Sequence, residues 1–139
     1  VKYKSNKINF FGLDSSNSRM LSKFIENVDK KFSVKKFDVI IDDGSHILSD
    51  QLFSINYFYK YLKKGGYYII EDYKFPNYFK RCNDVDENTL DILIKKLKNN
   101  KVIKSQILQN DTINKLYKAK IFTYKGRTKI SDIVFFQKK

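Results

Sequence analysis

Glycine is scarce in this chain of 139 residues: there are five, Gly12, Gly44, Gly65, Gly66 and Gly126. None lies in a G-x-G-x-x-G or a G-x-x-x-x-G-K-[ST] arrangement, so these residues encode no glycine-rich nucleotide or phosphate cradle. Proline and cysteine each occur once, as Pro76 and Cys82. A single cysteine excludes an internal disulfide and a cysteine-built zinc cage, and it fits a reducing compartment. There is neither an apolar run of membrane-spanning length nor a signal-peptide pattern, so the expectation is a cytoplasmic protein with no membrane partner. Hydrophobic residues make up 42 % of the chain, enough to bury a core of one domain.

Negative charge is the other shortage. Fifteen Asp and Glu face 28 Lys and Arg, for a formal net charge of +13. A nucleic-acid footprint is not the expected reading of this excess. Arginine, with its bidentate fork, is the favoured reader of bases and phosphates, and here it occurs only as Arg19, Arg81 and Arg127. The lysines accompany Asn, Ile, Tyr and Phe, a set that AT-rich codons impose. Residues 35–75 carry six basic and six acidic groups and are neutral. A generically basic surface accounts for the excess.

Hydrophobic spacing then orders the chain. Lys7–Phe11 reads as a buried strand closed by Gly12, and Met20, Leu21, Phe24, Ile25 and Val28 recur at helical spacing. Phe37–Ile41 is a second strand. Leu52, Ile55, Phe58, Tyr59 and Leu62 mark a helix that Gly65-Gly66 is expected to close. Tyr67–Ile70 is a third strand. This alternation predicts an α/β fold with right-handed β-α-β units, parallel strands and helices on both faces. Residues 73–86 read as a long connection over a site, Leu90–Leu97 as a helix, and residues 101–116 are ambiguous. Segments 119–124 and 131–137 read as a C-terminal antiparallel hairpin around Gly126.

Three of these strands end in carboxylates: Asp14 after the first, Asp42 and Asp43 after the second, Glu71 and Asp72 after the third. Ligands of open parallel sheets bind beyond the carboxyl ends of the strands. Neighbouring strands lie about 5 Å apart, close enough for Asp43, Glu71 and Asp72 to converge, and a cation would relieve their repulsion. Oxygen donors of this kind suit Mg²⁺ rather than zinc. Turn formation and helix capping are the competing explanation, one that extends to Asp14 and Asp42 but is poor for the pair Glu71-Asp72. The one histidine, His46, falls beside the same rim, and its imidazole is a candidate general base.

The segments Phe37-Asp-Val-Ile-Ile-Asp-Asp-Gly-Ser-His46 and Leu62-Lys-Lys-Gly-Gly-Tyr-Tyr-Ile-Ile-Glu-Asp72 resemble those of class I S-adenosylmethionine-dependent methyltransferases. More narrowly, the pair is similar to the metal-dependent macrolide sugar O-methyltransferases of the mycinamicin type, over about Ile8 to Tyr73. The resemblance implies a partial Rossmann-like methyltransferase fold. It implies Asp43, Glu71 and Asp72 as magnesium ligands and His46 as general base. It also implies Asp14, Ser15 and Asp42 as contacts of S-adenosylmethionine. Lys64 departs from a usual proline and Ser15 from a common glutamine. In that fold the cofactor's methionine end is held by a glycine-rich loop after strand one and its ribose by an acid after strand two. Both strands are expected before Val1, so the single domain 1–139 is read as the C-terminal portion of a larger methyltransferase domain. The implied reaction is methyl transfer to a hydroxyl of a sugar or glycosylated small molecule, by a protein that is a candidate homo-oligomer. The alternatives are a non-catalytic remnant or interaction module of the same fold, and a basic protein that binds or methylates RNA.

Overall fold

The computed structural model describes residues 11, 12 and 14–139. The expected strand Lys7–Phe11, apart from Phe11, lies outside the described residues. The chain divides into two compact units, Val1–Lys35 and Lys36–Lys139. In the first, α1 spans Ser18–Phe32. Asn17 caps it, its side-chain oxygen accepting from the backbone N–H groups of Arg19 and Met20, both at 3.1 Å. Lys30 and Lys31 stand in its last turn, where cations suit the helix dipole. Ser33 ends the helix in a left-handed conformation with φ 55°. Leu21 and Val28 of its apolar stripe are buried.

The second unit carries the sheet. Its elements are β1 (Phe37–Asp42), α2 (Leu48–Phe58), a 3-10 turn (Tyr59–Tyr61), β2 (Leu62–Ile70), α3 (Phe75–Tyr78), a 3-10 turn (Lys80–Cys82), α4 (Leu90–Lys98), α5 (Asn110–Lys118), β3 (Lys120–Tyr124) and β4 (Ile133–Gln137). The strand order is β1-β2-β4-β3. β1 and β2 are parallel, and β4 runs antiparallel to both β2 and β3. The expected parallel pair and terminal hairpin are therefore both present. The ambiguous stretch 101–116 resolves into a loop and most of α5, and the connection 73–86 holds a short helix with Pro76 in its first turn.

Alternation along the strands sorts the side chains. Ile40, Tyr68, Ile70, Val134, Phe136 and Ile121 join one core with Leu52 and Ile55 of α2, Leu93 and Leu97 of α4, and Leu116 of α5. On the opposite face Ile41 pairs with Ile69, Ile69 with Phe135, and Phe135 with Phe122. This apolar row crosses all four strands, with Ile41 59 % and Phe122 50 % exposed.

The glycine pair does not close a helix, contrary to expectation. α2 stops at Phe58, Tyr59 falls in the 3-10 turn, and Leu62 already pairs with Phe37 as the start of β2. The next pairing is Val39 with Tyr67, so β2 bulges over residues 63–66. Gly65 takes φ 81°, which its missing Cβ permits. A Cβ on Gly66 would lie 2.6 Å from the carbonyl oxygen of Asp38. The free carbonyls after α2 are capped from far along the chain. The Lys138 Nζ donates to the carbonyls of Leu62 at 2.7 Å and of Tyr59 and Lys60 at 3.3 Å.

The hairpin is fastened to the end of β2 by a buried carboxylate. Asp132 accepts from the Lys74 Nζ at 2.6 Å and from the Gly126 N–H at 3.0 Å, and its carbonyl accepts from the Tyr73 N–H at 3.3 Å. Burial pushes the Asp132 carboxyl up, but the Lys74 and Gly126 hydrogen bonds outweigh it and hold the group below its usual range. The same hydrogen bond, opposed by desolvation, lifts Lys74 above its ordinary value.

Two outcomes follow from this packing. Gly66→Ala must displace the Asp38 backbone and is expected to lower the stability measured in urea by about 1–3 kcal/mol. Gly12→Ala, which meets nothing within 4 Å, is the comparison and should change it little. For Asp132 the folded pKa lies below the unfolded one, so its stabilisation is present above about pH 4 and disappears as pH falls through the folded value. Asp132→Asn should cost about 1–3 kcal/mol near neutral pH. In urea titrations its deficit relative to the unchanged chain should shrink below about pH 4.

Candidate active site

The rim is built by strand register. Asp42, the last residue of β1, stands opposite Ile70, the last of β2, and the Glu71 N–H donates to the Asp42 carbonyl at 3.0 Å. Asp43 and Glu71 therefore leave two adjacent strands at the same level. Beyond β1 the chain turns through Gly44 and Ser45 to His46 before α2 begins at Leu48. The Ser45 Oγ donates to the Asp50 carboxylate at 2.6 Å, which ties this loop to the first turn of α2.

Two residues at the rim hold left-handed backbone: His46 with φ 57° and Asp72 with φ 50°. Such conformations in residues with a Cβ persist only where the surroundings impose them, and they concentrate at functional sites. Their effect here is to face the two side chains toward each other. The His46 Nε2 lies 3.9 Å from Asp43 Oδ1 and 3.9 Å from Asp72 Oδ2. These are ion-pair distances for a protonated imidazole and too long for hydrogen bonds. The imidazole is largely buried, its side chain 22 % exposed, while the Asp43 side chain is 63 % exposed. His46 packs on Phe75 with ring centroids 5.2 Å apart, and Phe75 stacks on Phe79 at 4.2 Å. The connection after β2 thus builds an aromatic wall against the imidazole.

Asp42 behaves differently from its neighbour. Its carboxylate points inward, where the Tyr68 hydroxyl donates to Oδ2 at 3.2 Å, and the Tyr68 hydroxyl is itself 2.7 Å from the Ser54 Oγ. Burial raises the Asp42 pKa, against hydrogen bonds from Ser54, Tyr68 and the Gly44 N–H and the charge of His46. Burial raises that of Tyr68 well above a normal phenol, so the hydroxyl keeps its proton and remains a donor. Ser54 and Tyr68 carry no motif that would mark them in the sequence. The one available signal is a serine and a tyrosine hydroxyl on the core-facing sides of α2 and β2.

The structure therefore brings Asp43, His46 and Asp72 together, sets Glu71 beside them by backbone pairing, and turns Asp42 into the core. Asp14 and Ser15 belong to the other compact unit. There Asp14 accepts from the Ser16 hydroxyl at 2.6 Å and the Ser16 N–H at 2.9 Å, bonds that lower its pKa. Among the described residues, no three His, Cys, Asp or Glu side chains are gathered closely enough to hold a metal ion. The donor chemistry of Asp43, Glu71 and Asp72 at paired strand ends nevertheless fits a hard, oxygen-seeking cation. No helix among the described residues is long and apolar enough to cross a membrane.

No protein-family model matches the chain. L-olivosyl-oleandolide 3-O-methyltransferase of Streptomyces antibioticus is 53 % identical to it over 36 residues, 26 % of this chain and 9 % of that protein. The MycE methyltransferase of the mycinamycin biosynthetic pathway, solved with Mg and SAH, matches 92 % of this chain at a TM-score of 0.52 and 19 % identity. A second crystal form of that complex gives a TM-score of 0.55, and the complex with Mg, SAH and mycinamycin VI gives 0.54, each at 18 % identity. At such identities the likeness is one of fold. The chain spans 31–32 % of the length of these solved chains. The chain thus carries part of the fold of these solved methyltransferases.

Proposed function

We propose that this chain is the acceptor-binding and metal-binding portion of a larger S-adenosylmethionine-dependent O-methyltransferase domain. The acceptor is a hydroxyl of a sugar or glycosylated small molecule, and Mg²⁺ assists the transfer. The observation that carries the reading is the placement of the His46 Nε2 at 3.9 Å from both Asp43 and Asp72 at the paired ends of β1 and β2. The likeness to methyltransferases solved with Mg and SAH supports it, as does the 36-residue match to a macrolide-pathway O-methyltransferase.

Each residue at the rim has a part in this chemistry. His46 takes the acceptor proton at Nε2, and Asp43 and Asp72 stabilise the imidazolium that results. Asp43, Glu71 and Asp72 would hold the cation, which supplies charge to acidify and orient an acceptor hydroxyl. The remaining requirement is positioning, because the methyl donor arrives already activated. Phe75 and Phe79 provide a stacked aromatic wall beside His46 that suits the apolar face of a sugar ring.

The test uses the full-length protein with S-adenosylmethionine, Mg²⁺ and a panel of glycosylated macrolides, following release of the demethylated cofactor. Asp43→Asn should lower turnover at least 100-fold, and removal of the metal by a chelator should do the same to the unchanged protein. His46→Ala should lose about 10²–10⁴-fold while still binding Mg²⁺. Full activity of Asp43→Asn would refute the metal assignment.

A further inference from the structure

The buried hydroxyls beneath the rim take no part in the chemistry above, yet they end on the residue that joins the two acidic strand ends. We propose that Tyr68, held by Ser54, is a positioning residue that fixes the Asp43–His46 loop through Asp42. The proposal rests on the reading that Asp43 and Asp72 serve a cation.

Tyr68 is 0 % exposed on the core face of β2. The Tyr68 hydroxyl donates to the Asp42 carboxylate, and the Ser54 hydroxyl lies 2.7 Å from that of Tyr68 and also bonds to Asp42. The Asp42 carboxylate also accepts from the Gly44 N–H, and its main-chain carbonyl accepts from the Glu71 N–H. One residue thereby grips the backbone on both sides of the rim, next to Asp43 through its side chain and next to Asp72 through its main chain. The fit is close, since a Cβ on Gly44 would lie 3.1 Å from Asp42 Oδ1. The loop must also carry His46 at φ 57°, a conformation that has to be imposed by fixed points around it. Ser45 bonded to Asp50 supplies the fixed point on the α2 side. Tyr68 supplies the one on the β1 side by setting the Asp42 rotamer.

A merely structural hydroxyl would affect stability alone, whereas a positioning hydroxyl controls how well the carboxylates bind an ion. The test therefore measures Mn²⁺ affinity by electron paramagnetic resonance and hydrogen exchange at the Gly44 amide, in the full-length protein and its Tyr68→Phe and Ser54→Ala variants. Tyr68→Phe should weaken Mn²⁺ binding about 10–100-fold, the range found for partners that orient metal ligands, and should speed Gly44 exchange. Ser54→Ala should move both in the same direction by less, and it decides the matter on the same two readouts if Tyr68→Phe does not fold. Gly44 exchange that stays as slow as in the unchanged protein overturns the proposal, as does undiminished Mn²⁺ affinity. Should the unchanged protein bind no Mn²⁺, the metal reading fails by itself. Gly44 exchange in the variants then decides the clamp alone, faster supporting it and unchanged overturning it.

Discussion

Everything at the rim depends on the parallel register between β1 and β2. Because Asp42 sits level with Ile70 and is bonded to the Glu71 N–H, the two strands expire at the same height and their acidic residues emerge side by side. A shift of one residue in that pairing would turn every side chain of one strand to the other face. Tyr68 would leave the core, and Asp43 would lose its place opposite Glu71. The register is held by burial of Ile40, Tyr68 and Ile70 on one face, and the bulge at residues 63–66 absorbs the mismatch in strand length at the far end. The glycines thus serve the rim from the opposite end of the sheet, by letting β2 start early and still finish level with β1.

Two carboxylates are taken out of water here, by different means. Asp132 is neutralised by a lysine and set well into an ion pair, so that it strengthens the join between hairpin and sheet. Asp42 faces hydroxyls and a backbone N–H, and the desolvation penalty wins. A lysine beside Asp42 would have relieved that penalty but would also have placed a positive charge against a rim suited to a cation. Hydroxyl donors leave the negative potential of the rim intact while still fixing the carboxylate. The exposed Asp43 and the half-buried Asp42, adjacent in sequence, therefore do opposite work: one faces outward with its charge available, the other holds the backbone still.

Much of this was legible in the residues. Alternating apolar runs identified β1, the latter half of β2, the β3–β4 hairpin and α4, because each buries one face and its pattern records that burial. The placement of Asp43, His46, Glu71 and Asp72 at one rim was legible because they directly follow two apolar strands that pair in parallel. The helix end at Gly65-Gly66 was misread. Glycine closes helices often enough to suggest it, and nothing local reveals that a lysine more than 70 residues later caps those carbonyls instead. α5 was hidden because its stripe of Ile113 and Leu116 is short and set among polar residues. The roles of Ser54 and Tyr68 depend on an approach between α2 and β2 that only the folded chain contains. The same holds for Asp42, whose neighbours in sequence give no sign that its side chain turns inward.

The row Ile41–Ile69–Phe135–Phe122 has a practical meaning. Three strand spacings make it about 15 Å long, and its two end residues stand half or more exposed while the opposite face of the sheet is packed. Environment-sensitive dyes brighten on apolar surface of this kind, whether or not a protein has begun to melt. A fluorescent signal from this chain at low temperature is therefore a property of its native sheet. Its unfolding is better followed through the tyrosines, ten in number and in a chain without tryptophan, of which Tyr59 and Tyr68 lie in the core and report its loss directly.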